Sequence, residues 1–88
     1  MRPKKGFVLR EIAGQAVVIA TGEASRSFHG MVKLNETGKK IFNGLADRNT
    51  PEEIAEKIVA QYEQVTYDQA LADVRAMIAK MDEAGILE

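Results

Sequence analysis

Two helix-start signals constrain this chain more than anything else in it. Thr50-Pro51-Glu52-Glu53 sets a capping hydroxyl before a proline and places a glutamate three residues beyond the threonine. Thr66-Tyr67-Asp68-Gln69 repeats the arrangement with a glutamine. In each, the threonine side chain accepts from the third residue's N–H and that residue's side chain reaches back, so two orphan donors are satisfied together. Behind the first signal, Ile54, Ala55, Ile58, Val59 and Tyr62 recur at helical spacing. Behind the second come Tyr67, Ala70, Leu71, Val74, Met77, Ile78 and Met81, up to a natural stop at Gly85. Asn35 caps an earlier helix carrying Ile41, Phe42 and Leu45, and Asp47-Arg48-Asn49 ends it. Ile86-Leu87 is expected to fold back onto the core.

The residues ahead of Asn35 follow a different period. Phe7-Val8-Leu9-Arg10-Glu11-Ile12 reads as a strand, Ala13-Gly14-Gln15 as a hairpin connection, and residues 16–21 as the return strand. Residues 22–28 read as a polar loop and residues 30–34 as a short third strand. A meander of three strands needs helices on one face to be stable. With 88 residues there is room for one domain, residues 1–88, and one modest core. The expected fold is α+β, a three-stranded antiparallel sheet followed by three helices.

Composition removes whole classes of chemistry. There is no Cys, so disulfides, thiolate metal sites and Cys nucleophiles are excluded, and the single histidine, His29, cannot build a His-rich metal centre. The longest apolar run, residues 16–20, is far short of the roughly 20 residues a membrane span needs. A cytoplasmic domain without a membrane segment is the expectation. Ser25, Ser27 and His29 share one loop, but no oxyanion-hole motif follows them, so they read as loop residues. Gly22, Gly30 and Gly38 are too widely spaced for a phosphate-binding loop. No enzymatic activity and no cofactor are expected.

Strands with three helices also suit a winged helix-turn-helix, so DNA binding is the alternative. Charge argues against it. Residues 1–48 carry nine Lys/Arg and four Asp/Glu, a net +5, whereas residues 49–88 carry three and nine, a net −6. Within residues 51–84, where a recognition helix would lie, eight acidic residues face three basic ones. Phosphates repel such a face. A peptide is a better match, because an edge strand offers unpaired N–H and C=O groups to an extended chain.

Several stretches together resemble one family. They are Val32-Lys33-Leu34-Asn35-Glu36-Thr37-Gly38 with Ile41-Phe42, Thr50-Pro51-Glu52-Glu53-Ile54-Ala55, Asp73-Val74 with Met77-Ile78, and the closing Glu83-Ala84-Gly85-Ile86-Leu87. This pattern, covering residues 6–88, is similar to the PqqD family, named for pyrroloquinoline quinone biosynthesis protein D. The resemblance implies a winged helix-turn-helix-like domain that captures the leader of a ribosomally made precursor peptide. It further implies delivery of that peptide to a modifying enzyme, often a radical S-adenosylmethionine protein. The implied site lies between residues 28–34 and one flank of the helix over residues 67–84.

Wheel arithmetic puts Leu71, Val74, Ile78 and Met81 at the centre of that helix's apolar stripe, with Ala70, Asp73, Met77 and Lys80 along one border. An extended leader is therefore expected to add antiparallel to the third strand at Phe28, Met31, Val32 and Lys33. Its apolar side chains should lie against Ala70, Val74 and Met77, with Asp73 and Lys80 at the rim. A monomer or a weak, strand-swapped dimer fits a short exposed edge.

Overall fold

The computed structural model describes residues 1–28 and 30–88, without the side chain of Ser27. Its elements run β1 (Phe7–Ile12), β2 (Gln15–Ala20), α1 (Ala24–Ser27), β3 (Met31–Leu34), α2 (Glu36–Ala46), α3 (Pro51–Gln61) and α4 (Tyr67–Glu83). The strands form one antiparallel sheet in the order β1-β2-β3, which leaves β3 at an edge. The α+β architecture and the three long helices agree with the sequence reading.

Local chemistry sets the boundaries. Ala13 and Gly14 both adopt positive φ, 52° and 80°, the backbone of a two-residue hairpin turn whose twist suits the strands. Gln15 thereby joins β2 instead of the turn, one residue ahead of the sequence reading. Its side-chain Nε2 donates to the carbonyl of Leu34 at 2.8 Å, pinning the end of β3. Both threonine signals form full capping boxes, and Asn35 Oδ1 accepts from the Gly38 amide at 2.8 Å.

The segment expected as a plain loop contains α1. Gly22 at φ 56° bends the chain, the Ser25 hydroxyl donates to the Gly22 carbonyl at 2.7 Å, and Ala24 packs against the core. A helix of four residues is too short to show a period, so the sequence carries no signal for it.

The core lies between the sheet and the long helices. From the strands it takes Phe7, Leu9, Ala16, Val18, Val32 and Leu34, all on one face of the pleat. Ile41, Phe42, Leu45, Ile54, Ala55 and Ile58 close it from α2 and α3. In α4 the deepest residues are Ala70, Val74 and Met81, while Leu71 and Ile78 are half-buried. The stripe is thus turned toward Ala70 relative to the wheel, because α4 packs on α3 and also touches α2.

Gly85, at φ 77°, turns the chain back after α4 and buries Ile86 and Leu87 as expected. The N-terminal residues join them. Lys4 N–H donates to the Ile86 carbonyl, Glu88 N–H donates to the Arg2 carbonyl, and Pro3 bridges Leu87. The Arg2 guanidinium meets the Glu88 carboxylate at 2.6 Å.

Candidate functional site

β3 packs on β2 and α4 packs on α3, and a groove of about 530 Å³ opens between β3 and α4. Its floor is apolar: Leu34, Ile41, Met81 and Ile86 all line it and all are buried. Val32 and Lys33 form the strand side. Asp73, Ala76, Met77 and Lys80 of α4, with its C-cap residue Ala84, form the helix side. Asn35, Thr37 and Gly38 from the first turn of α2 complete the lining.

Glycine at position 38 makes room for this closeness. A Cβ there would lie 3.2 Å from Asn35 Oδ1 and 3.4 Å from Leu34, crowding the cap and the floor together. The strand-to-helix junction singled out in the sequence is therefore part of the groove wall.

Five of the nine residues expected at a peptide site come together here: Val32, Lys33, Asp73, Met77 and Lys80. The other four do not. Phe28 stacks edge-on against Phe7, ring centroids 5.3 Å apart, and packs on the core. Ala70 and Val74, 1% and 0% exposed, belong to the core and cannot form a wall. Met31 is 52% exposed, but the pleat turns it to the opposite face of the sheet from Val32. Sequence reasoning missed Ala76 of α4 and the C-cap residue Ala84, together with the groove floor. The clue was their spacing from Asp73, Met77 and Lys80 on one helix flank.

Chemically the groove offers an apolar floor, a soft thioether and few charges. Asp73 and Lys80 both line its helix side, so both signs are present, while Lys33 borders it from the strand edge with the outward register of Met31. The charges with displaced proton affinity lie elsewhere. A hydrogen bond from Lys39 holds the Glu11 carboxyl below its ordinary range, and the Thr50 amide does the same for Glu53. Among the described residues, no three His, Cys, Asp or Glu side chains gather to hold a metal ion. Ser25 spends its hydroxyl on the Gly22 carbonyl, while His29 and the Ser27 side chain lie outside the described residues. No described helix is long and apolar enough to cross a membrane.

Comparison with solved structures places the fold. TbiB1, in a structure described as its complex with the TbiA(beta) leader peptide, is similar with a TM-score of 0.79 and 23% identity. The match covers 100% of this chain and 95% of that one. A lasso peptide synthetase B1 complexed with the leader peptide is similar with a TM-score of 0.79 and 20% identity, over 99% of this chain and 95% of that one. No curated protein matches. At sequence level the family described as coenzyme PQQ synthesis protein D (PqqD) matches residues 6–87. By that match over nearly its whole length, the chain belongs to the PqqD family.

Proposed function

We propose that this domain captures the leader segment of a ribosomally made precursor peptide and presents it to a peptide-modifying enzyme, with no catalysis of its own. The observation that carries this reading is the open edge of β3 beside an apolar-floored groove. An extended chain added antiparallel to β3 pairs its backbone with the edge, and alternate side chains then point into the groove. Family membership supports the reading, as do the leader-peptide complexes named for the two similar structures. A radical S-adenosylmethionine enzyme is the partner class that fits the family resemblance.

β3 spans four residues, so at roughly 3.3 Å per residue the paired stretch of leader is about 13 Å long. Two of its side chains reach the floor formed by Leu34, Ile41 and Met81. Burial of apolar surface drives this binding, which makes it weakly dependent on salt. A phosphate-tracking protein would lose affinity steeply over the same range.

The test is a titration of the isotope-labelled domain with the precursor peptide, followed through amide shifts. The expected shifts fall on Met31–Leu34 and on the α4 flank from Asp73 to Ala84, with affinity nearly constant between low and moderate salt. Shifts confined to β1 and β2, or binding to duplex DNA alone, overturn the reading.

A further inference from the structure

One end of the groove floor is built by the turn that follows α4. The Ile86 N–H donates to the Met81 carbonyl at 2.9 Å and the Gly85 N–H to the Asp82 carbonyl at 3.0 Å, a Schellman turn made possible by φ 77° at Gly85. The two apolar residues such a turn brings together are here Ile86 and Met81, both buried and both in the floor.

The segment ahead of β1 fixes Ile86 from its other side. The Ile86 carbonyl accepts from the Lys4 N–H at 2.7 Å, Pro3 bridges Leu87, and the Glu88 N–H donates to the Arg2 carbonyl at 2.9 Å. Two residues further on, Gly6 is tied to the sheet, its carbonyl accepting from the Thr21 amide at 2.6 Å and from the Thr21 hydroxyl at 2.9 Å. The chain makes this approach at φ 98°, where a Cβ on Gly6 would lie 2.9 Å from the Thr21 carbonyl oxygen. The sheet and the end of α4 are therefore joined through residues 2–6 and 86–88, besides the route through α2. None of residues 2–6 lines the groove, so their influence on it passes through Ile86.

We propose, resting on the leader reading, that residues 2–4 are a clasp that positions Ile86 in the groove floor, so that leader affinity depends on backbone pairing outside the groove. Pro3 and Lys4 are positioning residues: they touch no leader and act through Ile86. The pairing is short, and the Arg2–Glu88 ion pair beside it is exposed, its side chains 42% and 46% accessible, so it opens at lower cost than the core. Opening it frees the Ile86 carbonyl and lets that side chain leave the floor. A leader side chain then has less apolar surface to bury. By linkage, an occupied groove steadies the clasp by the same factor by which the clasp strengthens leader binding.

The experiment uses the full chain with its isoleucine and methionine methyl groups labelled, and the precursor peptide of the amide titration. Lys4→Pro removes the N–H that meets the Ile86 carbonyl. Arg2→Glu sets two carboxylates together, and Arg2→Glu with Glu88→Arg restores the pair in reverse. The expected result is a leader affinity about threefold to tenfold lower in Lys4→Pro, lower also in Arg2→Glu, and recovered to within about twofold in the reversed pair. The Ile86 and Met81 methyl resonances should move in Lys4→Pro, while those of Ile54 and Ile58 in α3 hold. In the natural chain, saturating peptide should slow hydrogen exchange at the Lys4 and Glu88 amides several-fold. Where Lys4→Pro fails to melt cooperatively, Arg2→Glu and the reversed pair decide. Natural leader affinity in the folded variants overturns the proposal even if their melting temperatures fall, because the clasp then only stabilises the fold. Unchanged exchange at both amides in the presence of peptide overturns it as well. Failure of the peptide to bind the natural chain removes the leader reading instead, and the Ile86 methyl resonance then decides alone whether the clasp shapes the floor.

Discussion

Gly44 of α2 faces Ile54 of α3 so closely that a Cβ on Gly44 would lie 2.7 Å from Ile54 Cγ1 and 3.0 Å from its Cδ1. Both residues are buried, and this contact sets how near the two helices approach. Glycine inside a helix costs roughly 1 kcal/mol relative to alanine, so propensity alone favours Gly44→Ala. Overpacking a filled core costs about 1–3 kcal/mol, which exceeds that gain. Gly44→Ala should therefore lower stability in chemical denaturation, by about 1 kcal/mol. A rise would mean that Ile54 moves aside freely.

The hairpin offers a change in the opposite direction. Ala13 holds φ at 52°, a conformation that costs an ordinary L-residue roughly 1 kcal/mol or more. Its side chain is exposed. Asparagine tolerates this backbone better, and Asn-Gly suits the two-residue turn. Ala13→Asn should raise the unfolding midpoint, by about 0.5–1 kcal/mol in stability. An unchanged or lowered midpoint would count against strain at this residue.

These two positions bracket what the sequence makes legible. Caps were readable because they are local: Thr50, Thr66 and Asn35 each act on a residue three places away. The sheet was readable from alternation, and the turn from Gly14. The Gly44–Ile54 approach was not, since it depends on how two helices meet. The same holds for the site. Val32, Lys33, Asp73, Met77 and Lys80, expected from the edge strand and one helix flank, line the groove. Ala70 and Val74 lie in the core and not along the groove, because the wheel gives the stripe's width, and only packing on α3 fixes its centre. Phe28 was drawn in by sequence proximity, although Phe7 holds its ring.

Acid should loosen the fold through three carboxylates. Glu53 is held below its ordinary value of 4.5, first by the hydrogen bond from the Thr50 amide and then by that from its hydroxyl. The Arg2 hydrogen bond lowers Glu88 and the Lys39 hydrogen bond lowers Glu11. Each group releases its proton more readily folded than unfolded. Their stabilisation is therefore present above the unfolded value and is lost as pH falls through the lower folded values. Lys39 is raised by Glu11, so its share is lost only as pH rises through that raised value. Urea midpoints should be level near neutrality and decline below about pH 5, the range in which unfolded carboxyls take up protons. Glu53→Gln keeps an acceptor in the capping box but removes the titration, so its decline should be shallower. An equal acid slope in the variant would place the sensitivity elsewhere.

The groove itself can be filled without touching the core. Ala76 is exposed on α4 and lines the groove between Asp73 and Lys80, whereas its neighbours Ala70 and Val74 support the fold. A tryptophan at this position occupies space that the leader's side chains need. Ala76→Trp should weaken leader binding by about tenfold or more, a loss of roughly 1.4 kcal/mol. Stability should change by no more than about 0.5 kcal/mol, as for most exposed positions. On the strand side, backbone pairing makes side-chain identity secondary. Lys33→Ala should therefore cost less affinity than Val32→Pro, which removes an N–H from the edge strand. Val32 also pairs with Val18, so the proline variant is judged on peptide binding only where its melting curve stays cooperative. Peptide titrations of all three variants, each beside a denaturation curve, decide the matter. Natural affinity in Ala76→Trp would place the leader outside the groove between β3 and α4.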